Sequence, residues 1–179
     1  MKPETVEIIK REALAWSREL LIALILFFII HTLFFTMVRV DGASMESTLR
    51  DSDRIASTII DVKLNGPKRL DVVICHYPNR EPWFVKRVIG LPGETIAIRG
   101  GITYINGEAL IEPYIKEAPR VRLDMAEKAI PEGHYFVMGD NRNNSTDSRD
   151  PRVGMIARSE IHAKARLRLW PLDRLGMVD

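Results

Sequence analysis

Residues 83–94 read Trp-Phe-Val-Lys-Arg-Val-Ile-Gly-Leu-Pro-Gly-Glu: an apolar run with two adjacent bases inside it, stopped by Gly-Leu-Pro-Gly. Trp83 to Ile89 is aromatic and β-branched, and the Gly and Pro that follow end a strand, so the stretch predicts β structure. Alternation places Lys86 on the face of Phe84 and Val88, and Arg87 on the face of Val85 and Ile89. One reading is an edge strand with both bases in water. The other is a lysine held among apolar groups, where desolvation lowers its pKa.

Outward from this run the same pattern repeats. Leu70 to Tyr77 is apolar and β-branched between Pro67 and Pro78. Thr95 to Arg99 and Ile102 to Asn106 flank Gly100-Gly101, a hairpin signal, and Asn106-Gly107 marks another turn. His134 to Met138 and Ile161 to Trp170 read as further strands, and Glu117 to Pro131 as a surface excursion with one strand or a short helix. Short strands with frequent Gly and Pro turns predict a mainly β, antiparallel domain over residues 39–179. In Lys164 to Leu169 bases alternate with apolar residues, which predicts a solvated strand face; the sharper alternative is contact with anionic lipid headgroups.

The amino-terminal end differs. Residues 1–19 mix charges, with Val6, Ile9, Ala13 and Trp16 at helical spacing, and predict a short amphipathic segment. Leu20 to Val38 then runs 19 residues without a formal charge, interrupted by His31, Thr32 and Thr36. At about 1.5 Å rise per residue that matches the hydrocarbon thickness of a bilayer, so 20–38 reads as a transmembrane helix. Leu33 to Val40 offers no small-x-small cleavage site, so the reading is an uncleaved anchor. His31 reads as a neutral histidine tolerated within that span.

Composition excludes several classes. A net charge of +2 and 46% hydrophobic residues in 179 argue against disorder and against nucleic-acid binding. The single cysteine, Cys75, allows no intrachain disulfide and, inside an apolar strand, reads as a core thiol. The four histidines show no metal-ligand spacing, so neither a metal nor a cofactor is expected.

Two polar stretches remain. Val40 to Leu49 places Ser44 after Asp41-Gly42-Ala43, a turn. A neutral hydroxyl is a poor nucleophile and needs a base. Imidazole is poorly supported, whereas a desolvated Lys86 would serve. Gly139 to Asp150 is the densest polar cluster, and as a calcium loop it fails, with Ser145 and Pro151 where Gly and Glu are needed. Its balanced charges suit an ion-paired scaffold beside a site.

Gly42 to Leu49, Lys86 to Glu94 and Gly139 to Arg149, with Leu70 to Val73 as a further box, together resemble the motifs of bacterial type I signal peptidases of the small, single-span Gram-positive form. The resemblance covers nearly the whole chain. It implies Ser44 as nucleophile, Lys86 as general base, Ser145 orienting the lysine, and Asp147 with Arg149 bracing the site. It also implies an oxyanion site built on the Ser44 backbone N–H, and substrates that are secretory preproteins with signal peptides, cut after small residues at −1 and −3. The expected setting is the cell membrane, single-pass, with a cytoplasmic amino terminus and the catalytic domain on the outer face. Val40, Met45 and Val85 flank the dyad in sequence and are candidate pocket residues. Two departures stand out. Gly42 lies where some members carry a serine donor to the oxyanion, and Ser47 lies where proline is usual, so a slightly looser turn is expected. The competing readings are a self-cleaving repressor-type peptidase, opposed by the apolar run, and a non-catalytic membrane-anchored β domain, opposed by the joint presence of Ser44, Lys86 and Ser145.

Overall fold

The computed structural model describes residues 3–78, 82–115, 117 and 124–178, with side chains described over residues 10–28 and from 34 onward. The chain divides into two units, residues 1–35 and 36–179.

The first unit is one helix, α1 (Pro3–Phe34). It takes in both the expected amphipathic segment and most of the apolar run. Among the described residues no helix is long and apolar enough to cross a membrane. His31 lies outside the described side chains. The run 20–38 is helical only to Phe34; Phe35–Arg39 is strand β1, with burial alternating along it. Thr36 and Val38 are β-branched and suit a pleated, half-buried strand better than a continued helix.

The second unit holds two sheets. In chain order its elements are β2 (Arg54–Thr58), α2 (Ile59–Asn65), β3 (Val72–His76), β4 (Trp83–Gly90), β5 (Thr95–Arg99) and β6 (Ile102–Ile105). There follow β7 (Glu108–Ala109), β8 (Met125–Ala129), β9 (His134–Met138), β10 (Ile156–Ala157), β11 (Ile161–Trp170) and β12 (Gly176–Met177). The larger sheet runs β1-β2-β11-β3-β4-β9-β10, with β12 paired to β11. The smaller runs β7-β6-β5-β8. Every described register is antiparallel, as the sequence predicts.

Sequence chemistry explains the centre of the larger sheet. Val72 to Cys75 are buried on both faces, so β3 can lie only in the interior, between β11 and β4. One of its faces joins Val72 and Ile74 to Val85, Met45 and Leu49; the other joins Val73 and Cys75 to Val88, Val137 and Tyr135. A third cluster packs Ile89, Phe136 and Met138 against Ile96, Ile98 and Ile105 of the smaller sheet. Cys75 is buried in this core, and burial pushes its thiol up to about 12. The β5–β6 hairpin turns at Gly100 and Gly101, with φ of 57° and 78°. Positive φ at both positions is what a two-residue hairpin of matching twist requires.

The bases of β11 are not a freely solvated face. Lys164 pairs with Asp71 at 2.5 Å, Arg166 pairs with Asp61, and Arg168 donates to the Thr48 carbonyl at 2.9 Å. Register shifts between Ala165 and Leu167 and between Arg168 and Trp170 also break simple alternation. Of the excursion over 117–131, residues 118–123 lie outside the described set, and β8 pairs with β5.

Candidate active site

β4 delivers Lys86 and Arg87 into the interior, only 3% and 1% exposed. That excludes the edge strand with both bases in water. The expected alternation holds, since Lys86 pairs across β3 with Val73 and Arg87 with Val72, on opposite faces. Lys86 Nζ donates to Ser44 Oγ at 2.7 Å and to the Val85 carbonyl at 3.0 Å, with the Phe84 ring 5.9 Å away. Burial holds its pKa below the 10.5 of a free lysine, opposed by the negative charge of Asp147 and aided by the positive charge of Arg149. Burial therefore shifts the amine toward its neutral form beside a serine hydroxyl.

Ser44 lies in a turn closed by Glu46 N–H to the Ala43 carbonyl (3.1 Å) and Leu49 N–H to the Met45 carbonyl (2.9 Å). Residues downstream pin this turn. Asn141 donates its N–H to the Ser44 carbonyl at 3.0 Å and its side-chain amide to the Ala43 carbonyl at 3.1 Å. Gly139 packs so closely that an added Cβ would lie 2.4 Å from the Ser44 carbonyl oxygen and 2.3 Å from Ser145 Oγ. Only glycine fits there, because real Cβ contacts are never so short.

A buried polar lattice ties the turn to β4. Arg87 binds Asp140 bidentately at 2.8 and 2.9 Å, and Thr48 Oγ1 donates to the same carboxylate at 2.5 Å. The Arg87 guanidinium lies 4.0 Å from the Tyr114 ring centroid. Arg142 pairs with Glu112, which also accepts from the Tyr114 hydroxyl at 2.6 Å. Breaking a buried pair of this kind leaves one charge uncompensated and costs about 3–5 kcal/mol.

Asp147 and Arg149 form the expected pair, joined at 2.8 Å through both carboxylate oxygens. Burial pushes the Asp147 carboxyl up. The Arg149 guanidinium, the Gly139 N–H (3.0 Å) and Ser145 outweigh burial and hold the carboxyl below its ordinary value. Ser145 is brought beside the site, but the expected hydrogen bond from Lys86 is not made. The lysine's bonds go to Ser44 and Val85, and the Ser145 hydroxyl is buried without a full hydrogen-bond partner of its own. Tyr77 reaches the same loop, donating to the Thr146 carbonyl at 2.8 Å while stacking on Phe84.

The two departures have structural consequences. Gly42 has φ of 88°, and its N–H is taken by Asp51 Oδ1 at 2.7 Å. Among the described residues the Ser44 N–H has no acceptor. Ser47 has φ of 102°, far from the −65° that proline imposes, and its hydroxyl donates to the Tyr114 carbonyl at 2.6 Å. The turn is therefore fastened differently rather than simply loosened. Val40, Met45 and Val85 meet in one buried cluster beneath the turn. Among the described residues no group of three or more metal-ligating side chains occurs. Sequence reasoning missed Gly139, Asn141, Tyr77, Thr48 and Tyr114; Gly139 and Asn141 lie in the polar cluster it had marked, but their close approach to Ser44 spans about a hundred residues of chain.

A family model described as signal peptidase, peptidase S26, matches residues 13–170. A signal peptidase I P of Bacillus subtilis subsp. natto is 37% identical, covering 93% of this chain and 94% of its own. A signal peptidase IB of Staphylococcus aureus is 33% identical, covering 92% and 93%. Among solved structures, a signal peptidase I of Enterococcus faecalis V583 aligns with a TM-score of 0.48 at 32% identity, over 55% of this chain and 95% of that one.

The close approach at Gly139 yields a test. Gly139→Ala must push the Ser44 carbonyl or Ser145 aside and should cost about 1–3 kcal/mol of stability, the range for forced overpacking. Thermal unfolding checks it, and an unshifted midpoint would contradict the packing.

Proposed function

The chain belongs to the signal peptidase family, peptidase S26, and is a serine endopeptidase that removes signal peptides from precursor proteins; we propose that it does so with a Ser44–Lys86 dyad. The observation that carries this is the 2.7 Å contact between Ser44 Oγ and a lysine nitrogen whose burial favours the neutral amine.

In the proposed mechanism the neutral Lys86 amine takes the Ser44 proton across that contact, and Oγ attacks the carbonyl carbon of the scissile peptide. The Ser44 N–H faces the developing oxyanion. Gly42 offers no side-chain donor and has committed its N–H to Asp51, so a second donor comes from another backbone group or a water. One such donor is worth about 10²–10³ in rate. Lys86 then returns the proton to the departing amine, leaving an acyl ester on Ser44. Water, deprotonated by the same amine, hydrolyses that ester. Asp147 and Arg149 hold the 145–149 loop against Gly139, and Ser145 borders the dyad without yet bonding to it.

The substrate's small −1 and −3 side chains rest over Val40 and Val85, with the fully buried Met45 packed behind them. The helical part of the apolar run, residues 20–34, anchors the chain in the bilayer, with the amino terminus cytoplasmic and the sheet domain from residue 35 onward outside. The uncharged 19-residue run supports this reading. Confining enzyme and precursor to one surface brings the cut site to Ser44.

Ser44→Ala and Lys86→Arg should each abolish cleavage of a precursor carrying an Ala-x-Ala site, while wild-type activity climbs with pH as Lys86 deprotonates. The rise should be centred below 10.5, since the folded pKa is depressed. A flat profile, or an active Arg variant, would contradict the dyad. Val85→Ala should admit a larger −1 residue, scored as a changed ratio of kcat/KM for Val against Ala at −1; an unchanged ratio removes Val85 from the pocket. Alkaline washing should leave the full chain in membranes, and protease added outside should digest residues 39–179. Release or protection would defeat the anchor.

A further inference from the structure

We infer that the cavity beside the Ser44 turn receives the mature side of the precursor, a few residues past the cut, and selects a basic side chain there; this rests on the peptidase reading above. The cavity measures about 470 Å³, and Glu46 and Ser47 line it together with Asn141. Glu46 and Ser47 follow Ser44 by two and three residues, which is at most about 7–11 Å of extended chain. Asn141 holds the Ser44 and Ala43 carbonyls at 3.0 and 3.1 Å. The cavity wall and the nucleophile are thus parts of one fastened turn. The apolar cluster of Val40, Met45 and Val85 suits the small side chains before the cut. A polar cavity suits the chain on the other side, which leaves as soluble protein.

Charge selects the ligand. Asp140 and Arg142 also line the cavity, but each is neutralised inside the lattice, by Arg87 and Glu112 respectively. Glu46, Glu117 and Arg50 remain, all exposed. Among the described residues none of these three has an ion-pair partner; Glu46 has only the Asn141 amide, at 3.5 Å. Two carboxylates against one guanidinium leave a net negative cavity, whose complement is a lysine or arginine side chain making charge-assisted hydrogen bonds. The wall is also fixed in advance. Ser47, at φ of 102°, is held by its bond to the Tyr114 carbonyl, so little ordering remains for binding to supply.

The test uses the full-length protein in detergent and peptides identical through the cut site, with Lys, Gln or Glu at the third mature residue. The expected order of kcat/KM is Lys above Gln above Glu, with about a 3–10-fold span, the scale of exposed charge pairs. The span should shrink toward one at about 1 M salt, where the Debye length is about 3 Å. Glu46→Gln with Glu117→Gln should flatten the series, read as the ratio of kcat/KM between the Lys and Glu peptides within each variant, and Glu46→Lys with Glu117→Lys should invert the order. Equal rates for the three peptides, a wild-type preference for Glu, or a Lys preference that survives the double Gln substitution would overturn the inference. Cleavage of the Gln peptide separates the two ideas. If wild type cuts none of the peptides, the peptidase reading fails and this inference with it.

Discussion

Keeping the Lys86 amine out of water, within 2.7 Å of a serine hydroxyl, is the constraint on which the rest of this molecule turns. A lysine in water is protonated near neutral pH and can take no proton. Burial among β3, β4 and the Phe84 ring lowers that pKa and shifts the balance toward the neutral amine, and the site bears the desolvation penalty to do so. The same burial makes the neighbourhood intolerant of stray charge. Asp147, which by itself would favour the protonated lysine, is matched oxygen for nitrogen by Arg149. The pair ties the loop together, and the positive charge of Arg149 offsets part of the pull of Asp147 on Lys86.

Proximity of the dyad also needs the Ser44 turn to stay put, and the turn lies far from β4 in sequence. The solution is a second buried ion pair, Arg87 with Asp140, which Thr48 joins from the turn itself. Adjacent residues of one strand thus have opposite tasks. Lys86 meets Ser44 from one face, and Arg87 clamps the Ser44 turn from the other through Asp140 and Thr48. Gly139 and Asn141 complete the clamp, the first by having no side chain and the second by binding two carbonyls. Tyr114 and Glu112, from the segment between β7 and β8 of the smaller sheet, reach into the same lattice. That sheet is therefore mechanically joined to the Ser44 turn rather than being a passive appendage.

Much of this was legible beforehand where one residue's chemistry leaves little choice. The runs at 70–77, 83–89 and 134–138 read as strands from their apolar and β-branched or aromatic residues, 161–170 from its alternation of bases with apolar residues, and Gly100-Gly101 signals a two-residue hairpin. Strands β2, β10 and β12 were not legible. Arg54–Thr58 carries one strongly apolar residue, and the other two strands are two residues long, so their pairing is imposed by neighbours rather than by pattern. The apolar run ending at Val38 was read as helix throughout, yet its last residues pair with β2, because sheet hydrogen bonding outbid a periodicity that carries no stop signal.

The site divides in the same way. Sequence alone determined the cast: a turn serine, a lysine inside an apolar strand, and a balanced polar cluster, all within the stretch that the family model matches. Only the tertiary structure decided their relations. It alone placed Arg87 on Asp140, gave Ser47 a positive φ, committed the Gly42 N–H to Asp51, and left the Ser145 hydroxyl buried against Gly139 without a bond from Lys86. Local chemistry fixes what a residue can do. Contacts across scores of residues arise when three apolar clusters close at once, and no stretch of chain encodes that closure by itself.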